Sequence, residues 1–251
     1  MNSRSTEDTA LTDILDWALG RMSAAGYPVR SNVSLLADPN LSIMGYAKKE
    51  GDSQCIVVAG WALDSEMLGG LVLHELAHVY HTERGAPSHD HDLLEDVISE
   101  IAERDGLTER EKECLLDSFS HLQNIIVDDI VFETMTKKEL ALVKTFFSGW
   151  ISQRSTGDPV ADASLLSRNA FAVASLKRRD LFEPDGEMGA RNKSLISEMG
   201  PHARKAFDEL ERLLENARGN TTKEQFREFL STYLEEILYV IRERDDLRDL
   251  R

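Results

Sequence analysis

The chain has 251 residues, 41% of them hydrophobic and 29% charged, with a formal net charge of −16. That balance is ordinary for a soluble globular protein and leaves room for one large domain or two small ones. The acidity argues against a nucleic-acid partner, because neutralising phosphates takes basic patches and no basic stripe is present.

The two cysteines, Cys55 and Cys114, form no CxxC, which predicts a reducing compartment and neither a disulfide framework nor a thiolate metal site. The opening MNSRSTEDTALTD is polar and lacks the apolar centre of a signal peptide. No run approaches the ~18 apolar residues of a membrane span. A cytoplasmic protein without a membrane partner is expected.

Taken in chain order, residues 7–24 place Leu11, Ile14, Leu15, Ala18 and Leu19 on one face, so an amphipathic helix opens the chain. Residues 31–60 hold short apolar runs broken by Asp-Pro-Asn and Glu-Gly-Asp, which predicts two or three strands with turns. Asp64 or Ser65 is the expected cap of a helix over 65–83 that ends before Gly85-Ala86-Pro87. A loop, APSHDHD, follows at 86–92.

Beyond it the chain reads as helical nearly to its end. Thr108–Glu111, Thr136–Glu139 and Thr221–Glu224 each fit the capping box, in which hydroxyl and carboxylate satisfy free backbone N–H groups reciprocally. Gly200-Pro201 marks a helix start. Loops are expected at 155–162 and 183–193, and the charged tail ERDDLRDLR is expected to fray. The expected fold is α+β and mostly helical, with a core over 1–136 and a helical region over 137–251.

The chemistry lies in GGLVLHELAHVYH, residues 69–81. On a helix His74 and His78 share a face one turn apart, so both imidazoles can reach a single ion at Zn–N distances of ~2.0–2.1 Å. Glu75, turned ~100° round the axis, stands beside that ion where the general base for a metal-bound water belongs. Gly70, one turn earlier, leaves space above the metal. Leu71, Val72, Leu73, Leu76, Ala77 and Val79 bury the helix, and a buried glutamate beside two histidines is costly without a partner such as zinc.

Two histidines need a third ligand. His81 lies two turns from His74 and is expected to line the cleft mouth or to be exposed. Nor does the pattern HExxHxxGxxH fit, since His81 stands at its glycine and Arg84 at its last histidine. The segment SHLQNIIVDDIVFETM, residues 120–135, is apolar nearly all round yet carries His121, Asn124 and Asp128 on one stripe and Asp129 and Glu133 on another. Asp128 is the first choice as ligand, with Asp129, His121, His89 and His91 as alternatives. Asp129 is also a candidate to accept the second-ring N–H of His74 or His78. A buried ion pair with Arg168 or Lys144, or a helix-cap interaction, is the alternative for these stripes and the preferred account of Asp129 and Glu133.

With HELAH at 74–78 and NIIVDD at 124–129, residues 31–135 resemble zincin-type zinc metallopeptidases. More specifically, they resemble the gluzincin group, whose motif is completed by an acid on a later helix, and its minigluzincins. The resemblance implies a small sheet packed on an active-site helix and a ligand helix. It also implies a Zn2+ cofactor and a peptide or protein substrate, held by backbone pairing to an edge strand, SIMGYA (42–47) or CIVVAG (55–60). Glu75 is then the catalytic base, and the oxyanion donor is sought in His121, Tyr80 or Tyr46.

Residues 137–180 and 200–248 show core-like helical periodicity, in which Phe207, Leu210, Leu214, Phe226, Tyr233 and Ile237 take part. They resemble no family and are expected to form a cleft wall or a cover. Arg168, Lys177, Arg178 and Arg179 are a basic run for a substrate carboxylate, for Asp128 and Asp129, or for a solvated face. Two other readings compete with the peptidase. One is an inactive zinc-binding regulatory or interaction protein, against which the retention of Glu75 argues. The other is a helical scaffold with an accidental HExxH.

Overall fold

The computed structural model describes residues 3–249, with side-chain surroundings for residues 9–243. In chain order the elements are α1 (Ser3–Ala24), β1 (Asn32–Asp38), β2 (Gly45–Glu50), β3 (Ser53–Ala59), α2 (Leu68–Glu83), α3 (His91–Asp105), α4 (Glu109–Thr134) and α5 (Lys137–Trp150). Then come α6 (Pro159–Lys177), α7 (Glu187–Met199), α8 (Pro201–Asn216) and α9 (Lys223–Asp249). The α+β, mostly helical class is as expected. Among the described residues no helix is long and apolar enough to cross a membrane.

The chain divides into two compact units, though not at residue 136. The first takes the residues up to His89 together with Val127–Leu142; the second takes Asp90–Ile126 and the residues from Val143 on.

The first unit holds the sheet, in the order β1-β3-β2. β3 pairs in parallel with β1 and antiparallel with β2. CIVVAG is therefore the core of the central strand rather than an edge; its run of consecutive buried side chains fits a strand covered on both faces. Of the two candidate edges only the GYA end of SIMGYA, in β2, is one. Leu11, Leu15, Ala18 and Met22 of α1 join Ile56 and Val58 of β3, Leu73, Leu76 and Ala77 of α2, and Val127, Ile130 and Val131 of α4 in one core. Each fully buried side chain of this kind contributes about 1.5–3 kcal/mol. Ile14 and Leu19 pack at its margin.

α2 begins three residues later than its spacing predicts. Residues 60–62 form a 3₁₀ turn, and Ser65 Oγ accepts from the Met67 amide, so neither Asp64 nor Ser65 caps the helix.

In the second unit α6 packs against α8 and α9, and α3 against α9. Two expected loops are shorter than their composition suggested, because each ends in an unnoticed N-cap. Asp158 accepts from the Ala161 amide with Pro159 at the first position, and Asp90 accepts from Leu93, which starts α3. α7 begins at Glu187, and a Cβ on Gly189 would meet Pro184 O at 2.1 Å, so only glycine fits that close approach.

The capping boxes at Thr108–Glu111 and Thr136–Glu139 form with both reciprocal bonds. The third is shifted one residue, to Thr222 and Gln225. α8 starts at Pro201 as expected. The charged tail continues α9 as far as Asp249, and residues 250 and 251 lie outside the described residues.

Candidate metal centre

α2 follows β3 closely in sequence and packs on β2 and β3, so its buried face is dictated by Val72, Leu73, Leu76 and Ala77. That leaves His74 and His78 side by side at the margin of the core. Their rings lie 4.9 Å apart, nearly edge to face, and their Nε2 atoms face each other at 3.2 Å. Behind His74, the Asp128 carboxylate stands 3.0 Å from Nδ1. A carboxylate oxygen only accepts, so His74 donates to it from Nδ1–H. Behind His78, Nδ1 meets Nε2 of His89 at 2.9 Å, and His89 Nδ1 meets Ser88 Oγ at 3.0 Å.

Two nitrogens bound to one tetrahedral zinc ion at ~2.0–2.1 Å lie about 3.3–3.4 Å apart. The observed 3.2 Å is close to that spacing and is equally an N–H···N hydrogen bond, so the pair supplies two of the donors a zinc site needs. A carboxylate on the far nitrogen of a ligating histidine is the usual outer-shell arrangement. The Asp128 carboxylate, expected as the third ligand, thus lies at the far nitrogen of His74, the contact also expected of Asp129. Among the described residues no three His, Cys, Asp or Glu side chains converge as a metal-holding group.

Glu75 is buried, 6% exposed. Burial pushes its carboxyl above the usual range, opposed by the nearby His74 and a hydrogen bond from the Ala47 backbone. A Cβ built on Gly45 would lie 3.6 Å from Glu75 Oε1 and 3.1 Å from Val57 O. The bare backbone of edge strand β2 therefore passes close to this carboxylate, and the tighter approach at Gly45 is to the Val57 carbonyl. The space expected at Gly70 is taken by Met135, whose Cε would be 3.0 Å from a Cβ there.

The remaining candidates have other engagements. His81 is buried, not exposed. It stacks on His89 at 5.2 Å with the rings 14° from parallel, and burial lowers its pKa to about 4. Glu133 is exposed and accepts from Tyr27 Oη at 2.5 Å, which pushes the phenol up to about 12; Asp129 acts on the same phenol by charge. Tyr80 lies edge-on to Tyr27 and under the Arg84 guanidinium, and Tyr46 pairs with Val57 in the sheet. His91 is the exposed first residue of α3.

His121 belongs to the second unit. There its Nδ1 meets Ser167 Oγ at 3.0 Å, its ring stacks on Phe171, and burial, helped by Arg168, lowers its pKa to about 4. The basic run is also engaged in that unit. Arg168 donates to Ser152 Oγ, Lys177 pairs with Glu211, and Arg178 donates to the Leu214 and Ala217 carbonyls. Lys144 pairs with Glu183. Ser88 is the one participant that sequence reasoning passed over. Its signal was weak: a buried serine beside a loop histidine, in a turn fixed by Pro87.

No curated protein and no solved structure matches the chain. The model of DUF5781, a family of unknown function, matches residues 27–230, a span that takes in His74, Glu75, His78, Ser88, His89 and Asp128. The match covers most of the chain, which therefore belongs to the DUF5781 family.

Proposed function

We propose that the protein is a zinc-dependent metallopeptidase that holds its ion through Nε2 of His74 and Nε2 of His78. The single observation that carries this reading is the facing nitrogen pair at 3.2 Å, with a carboxylate behind one ring. A resident zinc ion would supply Lewis acidity towards a scissile carbonyl and towards water.

The chain's own residues supply the rest. Glu75 takes the proton that water loses as its oxygen bonds the carbonyl carbon, and passes it to the amide nitrogen as the C–N bond breaks. A buried carboxyl with raised proton affinity suits a group that must accept a proton and hold it. The outer edge of β2 is unpaired among the described residues and passes over Glu75, so an extended peptide adding to that edge is delivered to the base. Asp128 orients His74 from behind. The two buried free cysteines suit a cytoplasmic enzyme.

A second reading, a zinc-binding regulatory protein without turnover, is favoured by the lack of a third converging donor among the described residues. Metal analysis and turnover of the purified full chain separate the two. The peptidase carries about one zinc per chain and cleaves unfolded casein, and Glu75→Gln keeps the zinc but loses cleavage. Zinc without cleavage by wild type supports the regulatory protein, and no zinc in either chain removes both.

A further inference from the structure

In a chain with 45 acidic residues and 29 basic ones, a half-buried arginine ordinarily finds an acid to face. Arg168, half-buried on α6, does not. Its hydrogen bond among the described residues runs from Nη2 to Ser152 Oγ at 2.6 Å. Nε is sealed from water without a partner, and burial pulls the guanidinium below its usual range with no carboxylate to offset it. In the same unit Arg178 and Arg191 spend their donors on backbone carbonyls, and Arg110 and Arg227 spend theirs on carboxylates.

Holding Ser152 in place does not account for Arg168. The Ser152 backbone is already fixed by Asn169, whose Oδ1 accepts from the Ser152 amide at 2.8 Å and whose Nδ2 donates to its carbonyl at 2.9 Å. The Ser152 hydroxyl accepts from Arg168 and keeps its own proton, for which no described residue supplies an acceptor. Two groups in contact thus both have donors to spare, and one of them is a partly desolvated cation. Such a pair calls for an oxyanion, and the planar guanidinium fork matches a carboxylate with two parallel N–H···O bonds.

The surroundings narrow the class. His121, with its pKa lowered to about 4, is neutral near pH 7 and adds no positive charge beside Arg168. One cation balances one negative charge, whereas a phosphate monoester at about −1.5 to −2 leaves an excess that a chain of net charge −16 repels. Trp150, two residues before Ser152, is half-buried, with its ring 6.3 Å from His121 and 5.7 Å from Phe171. Its remaining exposed face is apolar surface, which suits a carbon skeleton and not a hydrated phosphate.

We propose that Arg168 and Ser152 form a binding site in the second unit for a small organic monocarboxylate, whose oxygens accept from the guanidinium and the hydroxyl and whose apolar body lies against Trp150. None of the residues proposed to hold or serve zinc takes part.

Benzoate titrated into the full chain, stripped of metal by dialysis, tests this apart from any ion. ¹H–¹⁵N spectra should show saturable shifts at the Arg168 Nε–H and at the Trp150 indole N–H. Benzamide, the same ring without the charge, should leave both signals in place, and inorganic phosphate should not displace benzoate. Arg168→Gln should weaken benzoate about 10–100-fold, the worth of a charged hydrogen bond. Ser152→Ala removes only the hydroxyl, keeps both Asn169 bonds and should weaken benzoate about 3–10-fold. It decides the matter even if Arg168→Gln does not fold.

Four results would each overturn the proposal: no saturable benzoate binding, benzamide binding as tightly as benzoate, phosphate displacing benzoate, or wild-type benzoate affinity in either variant. Any of them leaves the zinc reading where it stood, because the titration contains no zinc.

Discussion

Each unit buries a histidine network, and the two are built for different ends. In the second unit His121 meets Ser167, which meets the Tyr233 hydroxyl at 3.0 Å, all walled by Phe171, Trp150 and Phe147. That line ends on a hydroxyl inside an aromatic shell, and no second imidazole faces it among the described residues. In the first unit the line ends on a carboxylate, and the Nε2 atoms of two imidazoles face each other at 3.2 Å. The first network is therefore the one on which the zinc proposal rests, and the second is packed as core.

The sharpest way to break this contrast is at His74, Glu75 and His78. Replacing either histidine by alanine should abolish zinc retention, and Glu75→Gln should slow peptide cleavage by roughly 10²–10⁴-fold with zinc retained, both read on purified protein. Next in size, Phe171→Ala should cost about 3–5 kcal/mol in denaturant unfolding and leave zinc affinity at the wild-type value. A loss of zinc affinity there would mean that the aromatic network is not merely core.

One part of the pH dependence of stability, beside the similar contribution of His81, follows from His121. Its pKa in the fold is about 4 against an ordinary 6.5. The stability gained by keeping it neutral is therefore full above pH 6.5 and lost as the pH falls towards 4. That loss, up to about 3 kcal/mol, should disappear in His121→Phe when unfolding is followed across this window.

Asp128→Asn should weaken zinc by about 10–100-fold in a chelator competition, the loss typical of an outer-shell partner, whereas removing a ligand would abolish binding. Smallest of all, Thr136→Ala removes one half of a formed capping box and should cost about 1 kcal/mol.

What was legible in the sequence was local. The HELAH helix, the apolar face of α1, and the boxes at Thr108 and Thr136 depend on residues three or four apart, and the fold contains each of them. The acid at position 128 was also legible as a partner of the motif, because a buried carboxylate needs one. Which ring nitrogen it approaches is decided by the packing of Val127, Ile130 and Val131 against α2, and spacing along the chain carries no trace of that. The same holds for Met135 filling the place at Gly70 and for the central position of β3. Asp90 and Asp158 were readable as caps and were missed because their loops look polar throughout.

The hairpin of β2 and β3 turns on Gly51 and Asp52, with Gly51 at φ 61° and Glu50 opposite Ser53. A two-residue turn of this kind sets the register of both strands. A slip of one residue would carry Met44 or Tyr46 to the place of Gly45 and set a Cβ tight against the Val57 carbonyl and in contact with Glu75. The approach of β2 to Glu75 is thus set from the opposite end of the strand, by a residue that touches nothing at the candidate site: a remote lever whose failure would show up there.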